Sequence, residues 1–108
     1  RRLPAMSKVS LIAKLPLQPG TRDAFVEAFT PMMRAVNDEA GTELYVLNFQ
    51  DDDENVVWVY ELYTDKDAMA THSASSAMAE LFGALGDLLA GAPDLIACTP
   101  HMAKGVEL

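Results

Sequence analysis

The run Val56-Val57-Trp58-Val59-Tyr60-Glu61-Leu62-Tyr63 constrains the fold more than any other stretch of this chain. It is built of β-branched and aromatic residues, and Glu61 is its only charged group. Such a run suits a half-buried strand far better than a helix. Residues 51–55, Asp-Asp-Asp-Glu-Asn, precede it and must stay in water, and residues 43–50 before them are again strand-like. Two strands flanking a polar loop predict an antiparallel hairpin. Side chains alternate across a strand, so Glu61 shares a face with Val59 and Tyr63, whereas Trp58 and Tyr60 occupy the other.

The flanking segments extend this pattern. Over residues 8–15, Val9, Leu11, Ala13 and Leu15 share one face while Lys8, Ser10 and Lys14 share the other, the period of a strand with one buried side. Pro16 and Pro19-Gly20 break it, and Gly20 or Thr21 can cap the next helix, with Asp23 near its positive end. Phe25, Phe29, Met32 or Met33, and Val36 recur at helical spacing; Pro31 within them predicts a kink or a fresh start, and residues 37–41 close the helix. Thr64 with Asp67 three residues on predicts a capping box opening a short helix that ends at His72. Residues 73–76 interrupt, and Leu81, Phe82, Leu85, Leu88 and Leu89 then line one face of another helix. Gly91-Ala92-Pro93 stops it, and residues 95–104 predict a last strand, with Pro100 at an edge or bulge. The order strand, helix, strand, strand, helix, strand is the split β-α-β plan: an α+β, ferredoxin-like antiparallel sheet with helices on one face. On the other face Ile12, Val46, Trp58, Tyr60 and Leu62 are too many large apolar groups to leave in water, which predicts a homodimer paired through the sheet around Trp58 and Tyr60.

At 108 residues, half of them hydrophobic, the chain suits one domain with a real core. Residues 8–108 are expected to form it, with residues 1–7 a tag or disordered leading segment and Met6 the natural start. A net charge of −8 disfavours nucleic acid and anionic membranes. A single cysteine, Cys98, allows no internal disulfide. No secretory signal or membrane-length apolar run is visible, so a cytoplasmic location is expected.

A carboxylate that cannot be fully solvated and a nearby imidazole can together form a base effective near neutral pH, which singles out Glu61 and His72. Tyr45 and Tyr63 could meet a planar ligand. Phe29, Met33 and Met69 could line an adaptable apolar site, although a core position is the commoner fate of such residues. Three metal readings are weak. Asp51-x-Asp53-x-Asn55 opens like a calcium loop, but Val56 and Leu62 stand where glycine and glutamate are needed. Cys98-x-x-His101 has no second ligand pair. Nothing in the spacing demands a triad of Glu61, His72 and His101. No metal is therefore expected.

Taken together, Pro19-Gly20, Glu39-x-Gly41-Thr42-x-x-Tyr45, Tyr60-Glu61-x-Tyr63 and Ala70-x-His72-x-x-Ser75, in this order, resemble the antibiotic biosynthesis monooxygenase domain of the dimeric α+β barrel superfamily, including its quinol monooxygenase-like members. The resemblance implies a homodimer with one apolar pocket per subunit between sheet and helices. It implies cofactor-independent oxidation of a small quinol or aromatic by molecular oxygen, with His72 as base and Glu61 steadying the imidazolium. Similar proteins also degrade haem or isomerise phosphorylated signals. The haem-degrading ones carry an asparagine on the first strand, and residues 8–15 contain none. A non-catalytic ligand-binding module and a non-oxidative isomerase are the alternatives on the same fold.

Overall fold

The computed structural model describes residues 7–108, so the reading of residues 1–6 lies outside the described residues. Four strands form one sheet: β1 (Val9–Pro16), β2 (Thr42–Phe49), β3 (Val56–Tyr63) and β4 (Asp94–Cys98). Their order is β2-β3-β1-β4 and every neighbouring pair is antiparallel. Three helices complete the described fold: α1 (Arg22–Ala35), α2 (Lys66–Ser73) and α3 (Ser76–Leu85), with one 3-10 turn at Val36–Asp38. This is the ferredoxin-like α+β arrangement.

The period of each strand decides what it buries. Ala13 and Leu15 of β1 and Val57 and Val59 of β3 point inward, where Phe25, Phe29 and Met32 of α1 and Leu81 and Leu85 of α3 close over them. Phe25 and Phe29 stack one helical turn apart, ring centroids 5.4 Å from each other. Burying a side chain of this size stabilises the fold by about 1.5–3 kcal/mol. That packing carries α1 through Pro31 without a break, although proline removes one backbone donor. The Thr30 hydroxyl adds a bond there, donating to the Val26 carbonyl at 2.7 Å.

Four local expectations are corrected. The cap of α2 is Asp65, whose carboxylate accepts from the Ala68 amide at 2.8 Å. Thr64 is instead held at the hairpin end, its amide bonded to the Gly41 carbonyl and its hydroxyl to Glu43. The last strand stops at Cys98, with Pro100 two residues on, and is exposed throughout; among the described residues β4 has a partner on one side only. The helical face predicted from Leu81 to Leu89 ends at Leu85; Leu88 and Leu89 reach the core from the turn beyond, and Phe82 turns outward, 60% exposed. Leu62 lies on the outer sheet face yet is fully buried. The C-terminal residues return to that end of the sheet, where the Lys8 ammonium donates to the Glu107 carbonyl and Val106 is half-buried.

Candidate functional site

Glu61 lies on the inner face of β3, the central strand between β2 and β1. The same alternation that buries Val57 and Val59 carries this carboxyl inward, and it is 4% exposed. A buried carboxylate needs hydrogen bonds. The Tyr63 hydroxyl, two residues along the same face, donates to Glu61 Oε1.

His72 reaches the site from the last turn of α2 and is 2% exposed. The helix can come this close because residue 41 is glycine: a Cβ there would overlap the Ala68 side chain. The turn containing Gly41 also brings in Glu39, whose Oε1 lies 2.8 Å from His72 Nδ1 and accepts from the Thr42 hydroxyl at 2.7 Å. The other imidazole nitrogen, Nε2, is 4.0 Å from Glu61 Oε1 and has no hydrogen-bond partner among the described residues. Leaving such an atom unpaired costs about 1–3 kcal/mol. The ring is held by the aromatic rings of Tyr45 and Tyr63, with centroids 5.1 and 5.5 Å away.

Burial is the main influence on the proton affinities here. It pushes the Glu61 carboxyl above its ordinary range; the Tyr63 hydrogen bond and His72 oppose the rise, and the charge of Glu39 adds to it. Burial also pushes both phenols up, Tyr45 and Tyr63 alike, reinforced by Glu61 and Glu39. Both tyrosines are therefore neutral hydrogen-bond donors at physiological pH.

Glu61 also lines a cavity of roughly 250 Å³ between the sheet and the helices. Leu11, Ala13, Leu15, Val59, Leu81 and Leu85 give it apolar walls, Phe29 and Tyr45 stack along one side, and Phe82, Pro93 and Leu95 stand at its margin. Among the described residues, Glu61 and Tyr45 are its ionisable lining groups, and neither is a cation. The volume is close to the lower end of ordinary ligand pockets, about 300 Å³, and suits one small ring system.

Of the residues singled out from the sequence, Phe29, Tyr45 and Glu61 line this cavity. His72 and Tyr63 do not; the Tyr63 hydroxyl donates to the Glu61 carboxyl, and His72 Nε2 lies 4.0 Å from it. Met33 packs at the margin of the core and Met69 is half-buried on α2, neither in the cavity wall. Met78 of α3 occupies the wall instead. Trp58, on the outer face, donates its indole N–H to Gln50 at 2.7 Å and lies under the Lys14 ammonium. Sequence reasoning missed the part of Glu39. It stood within the Glu39-x-Gly41-Thr42 motif, but its partner is 33 residues away and no local period connects them.

The model of the antibiotic biosynthesis monooxygenase family matches residues 8–84. Among solved structures, a Caulobacter crescentus CB15 protein provisionally described as an antibiotic biosynthesis monooxygenase superposes with a TM-score of 0.84 at 26% identity, covering 90% of this chain and 92% of that one. A similarly described Nitrosomonas europaea protein gives 0.81 at 17% identity over 85% and 97% of the two chains. A Mycobacterium tuberculosis protein gives 0.82 at 22% over 93% and 100%. No curated protein matches the sequence.

Proposed function

The chain belongs to the antibiotic biosynthesis monooxygenase family, and from that premise we propose that it oxidises a small, uncharged quinol or related aromatic with molecular oxygen, without a cofactor, using Glu61 and His72 as one proton-accepting unit. The observation carrying this reading is a carboxyl with raised proton affinity on the wall of a mainly apolar hollow, with an imidazole 4.0 Å from it. The sequence suggested His72 as the group that meets substrate. In the reading proposed here first contact goes to Glu61, which lines the cavity, and His72 takes the supporting position.

The proposed chemistry needs little from the protein beyond a base and a dry site. Removing a proton from the phenol or its keto form leaves an electron-rich anion. The anion gives electrons to oxygen, and a carbon–oxygen bond forms at a ring carbon bearing hydrogen. The resulting hydroperoxide loses water as its O–O bond breaks, leaving a carbonyl. One oxygen atom ends in the product and the other in water, with both hydrogens of the water drawn from substrate. No cation is among the described lining residues, which speaks against a phosphorylated substrate held by them, since it would enter without a counter-charge.

The companion proposal is pairing of two copies through the outer sheet face. Val46, Tyr60, Ile12 and Ile96 stand opposite one another in register across all four strands, and Val46 and Ile96 are 42% and 54% exposed. A second copy presenting the same row would cover it.

Oxygen uptake with a panel of hydroquinones tests the catalytic reading. Glu61→Gln and His72→Ala should each lower turnover about a hundredfold or more in folded protein. Undiminished uptake by Glu61→Gln would overturn the assignment. Thermal stabilisation by a quinol without oxygen uptake in the wild type would identify a binding module instead.

A further inference from the structure

We propose that Glu39 is a positioning residue: it fixes the tautomer of His72 so that the ring meets Glu61 with a bare nitrogen, ready to store the proton that substrate leaves there. The storage step rests on the oxygenase reading above, whereas the tautomer does not.

An ionised carboxylate can only accept hydrogen bonds. At 2.8 Å the proton between His72 and Glu39 therefore belongs to Nδ1. The Thr42 hydroxyl donates to the same Glu39 oxygen and holds it in place. A neutral imidazole has one N–H, and here it is committed to Glu39, so Nε2 is left with a lone pair. That atom is deeply buried, lacks a hydrogen bond among the described residues and faces Glu61 across 4.0 Å. The gap is roughly 1 Å longer than a hydrogen bond. When both carboxylates are ionised and the ring is neutral, no proton is available to bridge it.

A proton arriving on Glu61 changes this. The carboxyl O–H can turn to Nε2, the ring takes the proton, and an imidazolium lies between the carboxylates of Glu39 and Glu61. One proton leaves the substrate and none leaves the protein. The overall oxidation releases water and no net proton, so the stored proton is needed again when the O–O bond breaks. A reservoir of one proton fits that balance better than an exit to solvent. The Tyr45 and Tyr63 rings keep the imidazole from turning over between the two steps. The same logic governs a serine-protease triad, where a carboxylate holds a histidine in the productive tautomer.

The two His residues of the chain make the test direct. In protein labelled with ¹⁵N-histidine, with His101→Ala to assign the signals, NMR of the neutral ring should show His72 protonated on Nδ1 and bare at Nε2. Glu39→Ala should lose that preference and lower kcat for quinol oxidation about a hundredfold, leaving KM largely unchanged. Glu39→Gln, which keeps the volume, serves if the alanine variant does not fold, and should lower kcat in the same way. A wild-type ring protonated on Nε2 would overturn the proposal, as would wild-type turnover in a Glu39 variant. If the wild type oxidises no quinol but shows the Nδ1 tautomer, the oxygenase reading falls and the positioning role of Glu39 stands.

Discussion

The inner and outer faces of the sheet carry comparably apolar sequences but meet different surroundings. On the inner face, Ala13, Leu15, Val57 and Val59 are covered by α1 and α3, and the polar groups among them are gathered around Glu61. On the outer face, Leu62 is sealed whereas Val46 and Ile96 are open. The inner face thus has its cover within one chain, and the outer face has it at one end only. Alternation tells which residues share a face; what lies over that face depends on segments far away in the sequence.

The sharpest way to break the comparison is Leu62→Ala. If the outer face behaves as surface, the change is mild. Because Leu62 is fully buried, it should cost about 2–5 kcal/mol, measured by chemical denaturation. A loss near zero would place this end of the outer face in solvent.

A smaller effect sharpens the inner side. Folding raises the proton affinity of Glu61 above its ordinary value of 4.5, so the folded state binds more protons than the unfolded state above that pH. The contribution of Glu61 to stability is therefore fully present below about pH 4.5 and is lost as pH rises through the raised folded value. Tyr63→Phe removes a hydrogen bond that lowers this affinity, so it should push the carboxyl higher still, extend the loss to higher pH and cost about 1 kcal/mol near neutrality. Glu61→Gln should flatten the slope. Tm measured across pH 4 to 8 for the three proteins checks the order; a wild type that gains stability through this group on going from pH 4.5 upward would reverse the sign.

The smallest effect on the single chain belongs to Ile96→Asp. At an exposed edge it should change monomer stability by no more than about 0.5 kcal/mol. By sedimentation it should nonetheless shift a dimer toward monomer, since a charge would enter the row formed with Ile12, Tyr60 and Val46. A wild type that sediments as a monomer at all concentrations would remove the pairing proposal.

Much of the architecture was legible because period-2 runs and proline-glycine breaks are local signals. The hairpin, β1, α1 and the order of elements follow from residues within about ten positions of one another. Two of the misreadings share one cause, competition from distant partners. Thr64 had the composition of a cap, but Gly41 and Glu43 claim its backbone and side chain, so Asp65 caps α2. Phe82 fits the helical stripe, but it lines the cavity together with Pro93 and Leu95 from distant segments and stays largely exposed rather than in the core. At the site, strand alternation was enough to turn Glu61 inward. It could not order the layers behind it, because Glu39 enters from the turn before β2 and His72 from α2.

Glu61 stands as a partition between an oily compartment and a polar one. A molecule settling in the first would exclude solvent from the carboxyl more completely and so alter how firmly it grips a hydrogen ion. Occupancy and charging are then a single equilibrium. The guest needs no charge of its own to change the charge of its host, and its grip on the protein varies with the acidity of the medium.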